Sequence, residues 1–121
     1  MSLNASVLKP SERTRPFFSR LEVASTIARR TIGLMFRASM EAGEGLLIPN
    51  CRAIHTFGMR FSIDVLFLDA SYKIVTIREN VAPGQVVICR QNGVHTLEIP
   101  AGSVKAANFS IGEKFLLEDP T

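Results

Sequence analysis

A chain of 121 residues with 46% hydrophobic and 21% charged residues has the size and composition of one globular domain that buries a core, which excludes a chain disordered throughout. No apolar run approaches the ~20 residues needed to cross a bilayer, and the opening MSLNASVLKPSERTRP has no hydrophobic signal core, so the expectation is a soluble, cytoplasmic protein without a membrane span. The net charge of +3 is uneven, +5 up to Arg37 and −2 beyond it, but the basic residues are dispersed among apolar ones without stacking aromatics, and nucleic acid is not the expected partner.

Residues 1–16 are polar, contain two prolines and have little periodicity, which reads as a flexible arm ahead of a single domain over 17–121. FFSRLEVA, 17–24, reads as a first strand. Ser25 or Thr26 can cap a short helix over TIARRTIGLM, with Ile27, Ile32 and Met35 inward and Arg29 and Arg30 outward. The turn-prone ASMEAGEG leads into a short apolar strand, Leu46-Leu47-Ile48, stopped by Pro49-Asn50. From Phe57 to Val65 apolar and polar residues alternate as in a half-buried strand, and Val65-Leu66-Phe67-Leu68 is apolar on both faces.

Asp69-Ala70-Ser71 closes this central strand into a hairpin with YKIVTIREN, 72–80. Gln85 to Arg90 and Val94 to Ile99 flank Asn92-Gly93, the dipeptide of tight hairpin turns, and are expected to pair with each other. Ser103 to Phe109 reads as one or two helical turns and Lys114 to Leu117 as a last strand. The predicted fold is α+β, mostly β: a small, strongly curved, antiparallel-rich sheet or partly closed barrel with one or two short helices.

Gly33-Leu34-Met35-Phe36-Arg37, then His55-Thr56-Phe57, Met59-Arg60-Phe61, Ile63-Asp64-Val65 and Phe67-Leu68-Asp69, then Leu97-Glu98-Ile99-Pro100-Ala101-Gly102 and Ile111-Gly112-Glu113 together resemble domain of unknown function 192, also called uncharacterised protein family 0127, over roughly 17–118. The resemblance implies a small, mostly β domain of bacteria and archaea with no established activity. Secreted members have a Phe-Trp-Met-Lys-Asn type sequence where this chain has His55-Thr56-Phe57-Gly58-Met59-Arg60, so it resembles a non-secreted branch.

Cys51, His55 and Met59 are a soft ligand set, but on an unbroken strand they stand ~13 Å apart at ~3.3 Å per residue, too far to share one ion. Cys51 and His55 therefore remain metal candidates only if the chain breaks near Gly58 or a ligand comes from elsewhere, such as His95 or Cys89; the competing reading is a buried thiol, a satisfied histidine and a core methionine. No cofactor is expected. Asp64 must be partnered if buried, by an arginine or by backbone amides that tie its strand to the GLMFR segment. Arg37 suits either an anionic ligand or carbonyls of the loop after it, and Glu98 is expected on the outward, solvated face of its strand.

No serine-nucleophile elbow, phosphate loop, CxxC or HExxH occurs. The leading reading is a non-enzymatic domain binding a small molecule or a protein around Arg37, His55, Phe57, Met59, Arg60 and Asp64. The enzyme alternative makes His55 the acid or base, Asp64 its orienter and Arg37 an anion clamp, and requires all three within hydrogen-bond reach.

Overall fold

Ile63–Leu68 is buried at every position, which a strand achieves only when both faces of its sheet are covered and neighbours flank it on both edges. In the computed structural model, which describes residues 2–3, 8–10, 18, 20–24 and 37–117, this segment is an inner strand. The elements in chain order are β1 (Ser2–Leu3), β2 (Leu8–Pro10), β3 (Arg20–Val23), β4 (Glu44–Ile48), β5 (Ala53–His55), β6 (Ile63–Leu68), β7 (Ile74–Val81), β8 (Val86–Ile88), β9 (His95–Pro100), α1 (Ser103–Ala107) and β10 (Phe115–Leu117). The main sheet has the order β1-β3-β4-β9-β6-β7, and β2 with β10 and β5 with β8 form two small ribbons. All these pairings are antiparallel except β3 with β4.

Alternation sends the side chains of the main sheet to two cores. Leu21, Leu47, Leu66, Leu68, Leu97 and Ile99 pack with Val104 and Ala107 of α1 and with Phe109 and Phe115. On the opposite face Leu46, Ile48, Val65 and Phe67 pack beneath the β5–β8 ribbon, against Ile54, Met59, Val87 and Cys89. Phe18 fixes the edge of the first core: a Cβ on Gly45 would lie 2.7 Å from its ring, so glycine lets the ring lie against β4.

The α+β, mostly β class and the β6–β7 hairpin agree with the sequence reading. Asp69 ends that hairpin as expected, its Oδ1 accepting from the Ser71 amide at 2.8 Å, the Ser71 hydroxyl at 2.8 Å and the Lys73 amide at 3.0 Å. Among the described residues the sheet keeps two edges, β1 and β7, and is not a closed barrel. Within the segment read as an arm, Ser2–Leu3 pairs with β3 and Leu8–Pro10 with β10. The helix expected over 26–35 lies outside the described residues.

Two local expectations are corrected. The strand predicted to run from Phe57 is broken, since Gly58 adopts φ 80 and the Met59 amide donates back to the Thr56 carbonyl at 3.2 Å. Thr56, with no exposed surface, anchors this turn: its hydroxyl donates to the Ala82 carbonyl at 2.7 Å and accepts from the Gln85 amide at 2.8 Å. Second, the strands flanking Asn92-Gly93 do not pair. β8 joins β5, while β9 enters the main sheet between β4 and β6, where it pairs along both edges. Gly93 is buried against Cys89, whose Sγ would lie 2.6 Å from an added Cβ, so its small size serves the crossing between layers.

Candidate functional site

Asp64 points from β6 to the helix side of the sheet and has no exposed surface. Its Oδ2 accepts from the amides of Gly102 at 3.1 Å and Val104 at 2.9 Å, and its Oδ1 from the amide of Asn80 at 2.9 Å. Gly102 precedes α1 with φ 91 and has no side chain to cap the helix, so Asp64 supplies the acceptor from across the sheet. The backbone-amide partnership is the one the sequence suggests, but it ties β6 to α1 and β7 and not to the GLMFR segment. An open depression of about 470 Å³ lies above, lined by Glu79, Asn80, Ala101, Gly102 and Lys105, with Asp64 sealed at its base.

The other named residues sit elsewhere. His55 is exposed on β5; its Nδ1 accepts from the Phe57 amide at 3.2 Å and its ring stacks on Phe57, with centroids 5.3 Å apart. Arg37 donates to Glu44 Oε2 at 2.6 Å. Burial pushes the Glu44 carboxyl up, but the Arg37 hydrogen bond, the Glu41 amide and the charges of Arg37 and Arg20 outweigh it and hold the group below its ordinary value. Met59 is a core residue and Arg60 is exposed. No hydrogen bond joins His55, Asp64 and Arg37, so the acid, orienter and clamp required by the enzyme alternative are not assembled.

Although the chain does break at Gly58, Cys51 Sγ donates to the Ala53 carbonyl at 3.0 Å, and no group of three His, Cys, Asp or Glu side chains suited to a metal occurs among the described residues. His95 is buried on the helix side, stacked on Tyr72 at 4.8 Å and accepting from the Asn50 amide at 3.1 Å. Its burial lowers its pKa, only partly opposed by the charge of Asp69.

Two features were missed in the sequence. On β8, Val86 is 59% and Ile88 47% exposed, and with Phe57 at 51% they form an apolar strip on the outer face of the ribbon. The signal was present: an all-apolar Val-Val-Ile strand covered on one face leaves its other face uncovered. The second is Glu98, expected outward but 5% exposed, which stands between Leu46 on β4 and Val65 on β6 on the ribbon side of the sheet. Its alternation with Leu97 and Ile99 imitates a solvated face; only the central place of β9 reveals the burial.

A small mixed sheet, clamped to one helix by a buried aspartate and covered on its other face by a two-stranded ribbon, defines a mostly β, α+β domain. The chain belongs to the family of domain of unknown function 192, described as "Uncharacterized ACR", whose model matches residues 8–117. It is similar to the UPF0127 protein of Thermococcus sibiricus, 28% identical over 99 residues, 78% of this chain and 64% of that protein, so the match spans less than two thirds of that relative's length. The UPF0127 protein of Pyrococcus horikoshii is 29% identical over 97 residues, 78% of this chain and 84% of that one.

Among solved structures, the chain resembles a Sinorhizobium meliloti protein provisionally described as a transcription regulator, with TM-score 0.77, 27% identity and coverage of 94% and 88% of the two chains. It also resembles a Novosphingobium aromaticivorans protein of unknown function, with TM-score 0.73, 23% identity and coverage of 81% and 74%. Among the described residues no helix is long and apolar enough to cross a membrane.

Proposed function

We propose that this chain is a binding domain that receives an extended apolar peptide segment carrying an acidic residue on the outer face of the β5–β8 ribbon. The observation that carries this reading is the exposure of Phe57, Val86 and Ile88 together on one face, where a monomeric surface ordinarily breaks up large apolar patches. His55 lies flat against Phe57 and extends the patch.

Charge supports the choice of partner. Arg90 follows Ile88 by two residues and is exposed, Arg52 is exposed just before β5, and the outward residues Ala53, His55, Val86 and Ile88 include no acid. Backbone direction supports an extended partner. The Thr56 amide donates to Gln85 and the Cys89 amide to Arg52, which makes Ile54 and Val87 a hydrogen-bonded pair and turns the amides and carbonyls of Val86 and Ile88 away from β5. Those groups suit strand addition, and beside Val86 a cleft of about 250 Å³ runs between β8 and Arg78, Asn80 and Val81.

About half of a phenylalanine surface of ~150–250 Å² is open at Phe57, so covering it stabilises a complex by ~2–3 kcal/mol at ~25 cal/mol per Å². Selection of displayed random heptapeptides against the immobilised protein tests the proposal. Enriched peptides should combine apolar residues with Asp or Glu, and Phe57→Ser should weaken their binding by ~30- to 100-fold. The proposal fails if no consensus emerges, or if enriched peptides bind Phe57→Ser unchanged. A concentration-dependent dimer abolished by Phe57→Ser would instead give the strip to a second copy of the chain.

A further inference from the structure

Three glutamates share the ribbon side of the main sheet: Glu22 on β3, Glu44 on β4 and Glu98 on β9. Glu22 and Glu98 lie opposite Leu46 from its two sides, and Glu44 is two residues along β4 on the same face, a diagonal neighbour of Glu98. Glu22 is paired with Arg20 at 3.0 Å and Glu44 with Arg37 at 2.6 Å. Glu98, the most buried of the three at 5% exposure, carries a side-chain carboxyl with no hydrogen bond or ion pair to any described residue. A carboxylate withdrawn from water without a partner is costly to keep charged, and native structures ordinarily supply one. Leu46 and Val65 flank it, and Met40 and Phe61, partly exposed, pack against the same apolar cluster.

We propose that the ribbon side of the sheet around Glu98 binds a small organic cation, a primary amine on an apolar body, whose ammonium becomes the partner that Glu98 lacks. Each arginine pair leaves its own glutamate neutralised, so the position open to a single positive charge is the one facing Glu98. An ammonium donates hydrogen bonds to both carboxylate oxygens, and the apolar lining of this face receives the hydrocarbon body. The site lies on the inner side of the ribbon and does not use its exposed strip.

Burial pushes the free Glu98 carboxyl up to about 7, so the amine must displace a proton over much of the neutral range. Among the described residues, the other charged or titratable groups presented to this face are Glu22 and Glu44 with Arg20 and Arg37, Arg78 opposite Val65 on β7, and the Cys89 thiol from the ribbon. None of them is a carboxyl without a partner, and the proton released on binding is therefore that of Glu98.

The test is carbon-13 NMR of the glutamate side-chain carboxyls, titrated from pH 4 to 9 with and without hexylammonium chloride, against sodium chloride at equal ionic strength. Millimolar hexylammonium should lower the Glu98 midpoint by at least one unit, and its affinity should tighten close to tenfold per pH unit below 7 and level off above. Glu98→Gln, nearly the same shape, should lose at least tenfold in hexylammonium affinity and all of its pH dependence. An unmoved Glu98 midpoint overturns the proposal, as does undiminished hexylammonium binding by Glu98→Gln. Should that variant fail to fold, the wild-type midpoint decides alone.

Discussion

Replacing Asp64 by alanine removes one acceptor from three backbone amides at once, those of Asn80, Gly102 and Val104. Hydrogen bonds to a charged acceptor are each worth ~1.5–3 kcal/mol, and a simple sum would exceed the net effect. Asn80 and Gly102 are exposed residues whose amides water can reach, whereas Val104 is 6% exposed and its amide stays without a partner. The working figure is therefore ~3–5 kcal/mol, the full term for Val104 and a fraction for the other two. For a chain of this size that lowers Tm by ~10–20 °C. Asp64→Asn keeps the shape but turns a donor toward one of the amides, and its loss should fall between alanine and wild type. Urea unfolding of the three proteins, with amide exchange at Val104 as the local readout, measures the series. An alanine variant less than ~1 kcal/mol below wild type, with an unchanged m-value, would refute the clamp.

The free energy of unfolding should also carry a signature of Glu98. Its carboxyl is raised in the fold from 4.5 to about 7, so the folded protein holds a proton that the unfolded chain releases above 4.5. This contribution is fully present below about pH 4.5, and declines as pH rises toward 7, by ~3 kcal/mol in all. Glu98→Gln should remove that decline, measured as the difference in urea midpoints at pH 5 and 8. Glu44 acts with the opposite sign, since its lowered carboxyl stabilises the fold above its ordinary value and loses that contribution as pH falls below it. Gly45→Ala forces a methyl to 2.7 Å from the Phe18 ring and should cost ~1–3 kcal/mol in chemical denaturation. Arg37→Ala, removing a pair whose arginine is 36% exposed, should cost no more than ~1 kcal/mol in the same assay.

The sequence was most legible where one residue dictated its own surroundings. A wholly apolar β6 required cover on two faces, and a carboxylate within it required amides or an arginine, which is what the fold provides. Asp69 announced its turn because the side chain caps amides only two and four residues away. Pairing was less legible. Asn92-Gly93 is a hairpin signal only if the flanking strands meet, and β9 gains more by burying Leu97 and Ile99 between β4 and β6. The alternation from Phe57 to Phe61 likewise resembled a strand, while contacts of Thr56 with residues 26 and 29 positions away made it a turn. The candidate residues were recognised as polar groups in a core-like stretch, but facing directions decided their roles: Asp64 serves the helix side, His55 the outer surface, and Glu98 the face between.

The most direct measurement of the proposed binding role is amide chemical-shift mapping of a selected acidic, apolar peptide on the isotope-labelled protein. Binding on the outer face of the ribbon should concentrate the shifts at Ala53 to Phe57 and Gln85 to Arg90 and weaken them in Phe57→Ser. Shifts centred instead on Asn80, Gly102 and Lys105, around the depression above Asp64, would contradict it.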